Sequence, residues 1–143
     1  MLTPEQDHAL TLLLDELIPP SEDGRLPGAG ALGLAEGLRE HALTPSIAQG
    51  LERLDALAGE QGAASFAAAG NREALLRALD TESPGALGGL LFHTYTTYYQ
   101  HPQVLEGLGV DPRPPHPKGY EIEAGDLSSL AAIRQRGPLY REA

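Results

Sequence analysis

Apolar residues recur at three- and four-residue spacing along most of this chain, and proline or glycine marks the places where the pattern stops. Leu10, Leu13, Leu14, Leu17 and Ile18 form the first such stripe. Thr3 is placed as its N-cap, Pro4 as its first helical residue and Gln6 as the partner of Thr3 in a capping box. Pro19-Pro20 ends it, because proline lacks the N–H that would extend the ladder. A loop follows over 21–28. Leu34, Leu38 and Ala42 then predict a second helix over about 31–42, weakened by Gly33 and Gly37. Thr44-Pro45 starts a third, with Ile47, Leu51, Leu54 and Ala58 inward, Leu57 beside them, and an end within 59–62, between Gly59 and Gly62. These two helices are expected to pack antiparallel. After a short alanine-rich piece around Phe66, Asn71 caps a fourth helix whose stripe is Ala74, Leu75, Ala78 and Leu79. Ser83-Pro84 opens the fifth, over 85–100, ended by His101-Pro102. One further turn fits at 103–108.

Beyond that point the pattern changes. Residues 110–119 hold four prolines in ten positions and predict an extended, polyproline-like arm. Asp126 starts a short helix running to about Arg136. No internal repeat and no strand-like alternation of useful length occurs, so the expected fold is all-α. It is a compact bundle of five to six helices over 1–110, with 111–143 as a proline-rich extended C-terminal arm and short terminal helix belonging to the same domain.

Composition narrows the chemistry. The chain has 143 residues, no cysteine, and 10 Lys+Arg against 20 Asp+Glu, a formal charge of −10. A surface that negative argues against nucleic acid or an anionic membrane as partner. Missing cysteine removes thiolate metal sites and cysteine nucleophiles together. The charge is unevenly spread. Residues 113–143 carry Arg113, Lys118, Arg134, Arg136 and Arg141 against Glu121, Glu123, Asp126 and Glu142, about +1, which leaves about −11 for the remainder. No stretch is apolar enough for a membrane-spanning helix, and the N-terminal residues have neither a basic region nor twin arginines; the expectation is a cytoplasmic protein, or a periplasmic one if a leader has been removed or a partner directs export.

His8, His41, His93, His101 and His116 include no i, i+4 pair, so no metal site is expected. No nucleophile elbow or P-loop occurs, and Ser21-Glu22-Asp23-Gly24 lacks the alternating ligands of a calcium loop. Gly28, Gly30 and Gly33 match dinucleotide spacing but follow Leu26-Pro27 rather than a strand, and read as a glycine-rich loop. No catalytic or cofactor-binding residue is expected in this chain.

The most unusual local composition lies in the fifth helix, where four of the seven aromatic residues, Phe92, Tyr95, Tyr98 and Tyr99, fall within eight positions. Phe92, Tyr95 and Tyr99 share one face, with Leu87, Leu91 and Tyr98 on a neighbouring stripe. Two readings stand: a central helix covered on all sides, or a helix with one face exposed as an aromatic patch for a protein or a ligand.

The run Asp15-Glu16-Leu17-Ile18-Pro19-Pro20-Ser21-Glu22-Asp23-Gly24 with the small residues after it resembles the opening of the gluconate 2-dehydrogenase subunit 3 family. The Ala74-to-Leu79 helix, the aromatic helix leading to Tyr99-Gln100-His101-Pro102, and the segments 114–120 and 136–141 are similar to its later portions. The resemblance implies a non-catalytic small subunit that helps a flavin-dependent sugar or polyol dehydrogenase of the glucose-methanol-choline class to fold, stay soluble or be exported. FAD is then expected in the large partner subunit and not in this chain. Exported members usually carry a twin-arginine leader, which this sequence lacks. Phe92, Tyr95 and Tyr99 on the helix, with Arg113, Lys118, Tyr120 and Tyr140 in the arm, are the residues expected to meet that partner, because a polyproline segment loses little entropy on docking. The rival expectation is a stand-alone helical module that takes a small apolar ligand beside Phe92, Tyr95 and Tyr99. A helical enzyme using His93 with a tyrosine as acid and base is a third, and would require turnover by the isolated chain.

Overall fold

A computed structural model describes residues 2–40, 44–113 and 125–136, and falls into two compact units, Met1–Pro112 and Arg113–Ala143. The described residues are helical without a strand, as an all-α bundle requires. Expectations for residues 114–124 and 137–143, which hold most of the arm, lie outside the described residues.

In the first unit α1 spans Pro4–Leu17, α2 Leu34–Glu40, α3 Thr44–Glu60, α4 Arg72–Glu82, α5 Gly88–Tyr98 and α6 Pro102–Gly107. The capping box forms as the sequence predicts: Thr3 Oγ1 accepts from Gln6 N–H at 3.2 Å and Gln6 Oε1 accepts from Thr3 N–H at 3.0 Å. The inward face of α1 is Ala9, Leu10, Leu13 and Leu14, continued by Ile18, while Leu17 is only half buried. On α3 the stripe Ile47, Leu51, Leu54, Leu57 and Ala58 is buried throughout. That helix packs mainly on α4, whereas α2 packs on α1 and α5 and meets α3 less extensively.

Several boundaries shift from the sequence expectation, but the third helix keeps its expected end: it runs to Glu60 and closes at Gly62 with φ +82°, inside the glycine stop at 59–62. There Ala63 N–H reaches Ala58 O at 2.9 Å and Gly62 N–H reaches Gly59 O at 3.0 Å, the paired bonds of a Schellman ending that satisfy the last carbonyls. Asn71 stands before α4 without capping it, because its side-chain amide donates to Gln61 instead. The α4 stripe turns accordingly, burying Leu75, Leu76 and Leu79 and leaving Ala74 exposed. The predicted fifth helix loses its first turn: 83–87 form hydrogen-bonded turns, with Ala86 N–H on Ser83 O, before α5 begins at Gly88. The second helix likewise starts at Leu34, after Gly33.

Several hydrogen bonds fasten the segment between α1 and α2. Ser21 Oγ accepts from Leu26 N–H at 2.9 Å, Gly30 N–H donates to Asp15 Oδ1 at 2.8 Å, and Tyr98 O–H donates to the Pro27 carbonyl at 2.8 Å. Gly30 is there because the loop lies directly on α1: a Cβ would run into the Thr11 carbonyl and the Asp15 carboxylate. Two ion pairs link helices at the surface. Arg72 of α4 meets Glu16 of α1 at 2.8 Å, and Arg53 of α3 grips Glu82 of α4 with bonds of 2.9 and 2.7 Å. The Arg53–Glu82 pair is exposed and contributes little, whereas Arg72–Glu16 is half-buried. The core carries the stability.

The second unit, taken by itself, shows a 3-10 turn at Ser128–Leu130 leading into α7, Ala131–Gln135. Asp126 Oδ1 accepts from Ser128 N–H at 2.9 Å, so the predicted start at Asp126 is an Asx-type cap on a shorter helix than 126–136. Leu127, Leu130 and Ile133 are exposed.

Candidate functional site

The fifth helix has two opposed faces. Leu90, Thr94 and Tyr98, four residues apart, are buried together with Leu87 just before the helix. At 100° per residue, Phe92, Tyr95 and Tyr99 fall within about 60° of one another on the other side. They remain 65%, 43% and 49% exposed. The reading of a helix covered on all sides therefore does not describe α5. Of the neighbouring stripe, Leu87 and Tyr98 are buried while Leu91 is half buried, and Leu90 and Thr94 complete the inward face.

The aromatic face is ordered by its own contacts. Tyr95 and Tyr99 stack with ring centroids 6.3 Å apart and planes 9° apart, and Tyr99 meets Tyr98 edge-on at 5.1 Å. Tyr98 is the anchor beneath: it is 1% exposed, its hydroxyl is bound to Pro27, and burial pushes that hydroxyl's pKa up. Phe92 lies edge-on to His93 at 5.4 Å. An array of this kind offers flat apolar area with phenol groups at its rim, at a low entropic cost because the rings already hold one another. It offers no poised nucleophile.

Other candidate chemistry resolves as structure. Gly28 and Gly30 lie against Asp15, whose carboxylate takes the Gly30 amide, so a negative group already sits where a dinucleotide phosphate would need that donor. At 21–26, Ser21 and Arg25 bind the Asp23 carboxylate and hold its pKa down, from 3.8 to about 2, with the Ser21 hydroxyl the larger cause. Among the described residues no group of three His, Asp or Glu side chains could hold a metal ion, and no helix is long and apolar enough to cross a membrane. Of the expected partner-facing residues, Phe92, Tyr95 and Tyr99 come together on one surface. Arg113 is exposed at the start of the second unit, and Lys118, Tyr120 and Tyr140 lie outside the described residues.

A second feature was not visible in the apolar pattern. Between α1, α3 and the turn before α5 lies a pocket of about 260 Å³, floored by Leu13, Ile47, Leu51, Leu87 and Leu90. Ser46, Gly50 and Ala86 also border an adjoining groove of about 630 Å³. The pocket uses the first turn of α5, whereas the aromatic face uses the remainder. Its one signal in the sequence is Gly50, a glycine in the middle of an otherwise good helix.

Comparison of the chain with protein-family models, with curated proteins and with solved structures returned no match.

Proposed function

We propose that this chain is a non-catalytic accessory subunit that binds, and helps to fold or stabilise, the catalytic subunit of a flavin-dependent sugar or polyol dehydrogenase of the glucose-methanol-choline class. The observation that carries the reading is the aromatic face of α5: three large rings lie exposed on one face, two of them stacked, on a helix whose opposite face is rooted in the core. Exposed tyrosines packed in this way are more characteristic of protein interfaces than of free surface. The identity of the partner rests on the sequence resemblance, through the run 15–24 and the helix ending Tyr99-Gln100-His101-Pro102. In this reading FAD belongs to the large subunit, and the acidic surface keeps nucleic acid away.

The test is co-expression with a flavoprotein dehydrogenase encoded beside this gene, followed by size exclusion. A joint peak is expected with the wild-type chain. The triple variant Phe92→Ala, Tyr95→Ala, Tyr99→Ala should keep its helical circular dichroism, since the replaced rings lie largely outside the core, and lose the joint peak. A complex that survives the triple variant rules out this face as the interface.

A further inference from the structure

The pocket at the start of α5 has a wall that packing does not explain. Gly50 lies in the interior of α3, where glycine costs a helix roughly 1 kcal/mol relative to alanine. A close approach would justify it, as at Gly30. Yet a Cβ on Gly50 would meet no atom within 4 Å, while one on Gly30 would strike backbone and carboxylate. The missing side chain at 50 therefore leaves open space at a residue that lines the pocket.

The pocket's size and charge define what fits. Its floor is five aliphatic side chains, each at least nine-tenths buried. A volume of about 260 Å³ equals roughly nine waters at ~30 Å³ each, and apolar cavities of even ~150 Å³ stay dry and take up benzene-sized molecules. A helix is too wide for it. An apolar group of roughly six to eight carbons matches it. The groove at its mouth carries Glu52 and Arg53, and the Arg53 guanidinium is already engaged by Glu82 at 2.7 Å and Glu60 at 3.3 Å. An anionic head group would thus face the Glu52 carboxylate and a cation already neutralised, whereas a hydroxyl or an ammonium would face Ser46, Gln49 and Glu52.

We infer that this pocket is a binding site for a small apolar molecule with a neutral or positively charged polar end, with Gly50 keeping the site open. The site is separate from the aromatic face and does not depend on the partner assignment, so its test uses the isolated full-length chain. Hexan-1-ol, hexylamine and hexanoate serve as probes, titrated against protein labelled at its isoleucine and leucine methyls. Hexanol and hexylamine should produce saturable shifts at Leu13, Ile47, Leu51, Leu87 and Leu90, with hexanoate at least tenfold weaker. Gly50→Leu should abolish the shifts, and Leu87→Phe, which enlarges a side chain of the floor, should weaken them; either variant alone suffices if the other does not fold. Absence of saturable shifts in the wild-type chain overturns the site. So do shifts that both variants leave unchanged, and equal binding of hexanoate overturns the assigned polar end. Methyl shifts caused by a flavoprotein partner and not by the probes would give the pocket to a partner's side chain and overturn the proposal.

Discussion

Asp23 shows how a single side chain can fix a loop that the hydrophobic pattern leaves undefined. Its carboxylate accepts from Ser21 Oγ at 2.7 Å and from the Arg25 backbone N–H at 3.1 Å, and it also binds the Arg25 guanidinium. These donors favour the charged form and lower the pKa to about 2. A carboxylate whose folded pKa lies below its unfolded value contributes stability above the unfolded pKa and loses it as pH falls through the folded one. The contribution of Asp23 is therefore complete above about pH 4 and disappears between 3.8 and about 2. A carboxyl-carbon NMR titration should place the Asp23 midpoint near 2, and Ser21→Ala should move it upward, because the Ser21 hydroxyl is the largest cause. A midpoint near 3.8 in the wild-type chain would show that the turn is not held this way. The sequence marks 21–24 as an acidic turn; it does not show which hydroxyl closes it, since Ser21, Asp23 and Arg25 could equally have pointed to water.

At the scale of elements, the expectations held where local chemistry alone decides and slipped where a distant contact does. The α1 cap, its proline stop and the α3 stripe depend on neighbours within a turn, and they formed as read. The start of α5 depends on which of the nearby residues takes the turn, and composition does not place the break after Gly85. The aromatic cluster was legible as a cluster. Its exposure was not, because a helical period gives the angle between residues and not the side from which other helices approach. Two glycines illustrate the same limit in opposite directions, although sequence alone treats them alike. Gly30→Ala should destabilise the fold by about 2 kcal/mol or more, because its Cβ meets the Thr11 carbonyl and the Asp15 carboxylate. Gly50→Ala should instead stabilise it by up to about 1 kcal/mol, since it improves α3 and touches nothing. Urea unfolding of the two variants distinguishes them; equal costs would mean that α3 is crowded at Gly50 after all.

For the molecule as a whole, the division at Pro112 and Arg113 coincides with a change of charge, about −11 before it and about +1 after it. The core lies entirely in the first unit: each buried apolar side chain among the described residues falls between Ala9 and Val104, and none of the described residues of 125–136 is buried. A five-residue helix such as α7 is far below the length at which a helix persists in water on its own propensity. Leu127 and Ile133 of the second unit are exposed, beside Arg134 and Arg136. Deleting 113–143 should consequently leave the thermal midpoint of the first unit within a few degrees of the full chain, since no described core residue is removed. In the accessory-subunit reading, the same deletion should weaken capture of the flavoprotein while the aromatic face stays intact, so that binding falls by less than in the triple variant of α5. Binding unchanged by the deletion would confine the interface to the first unit. A large drop in midpoint would show that 113–143 supports the helical fold, and the division of labour between the two units would have to be abandoned.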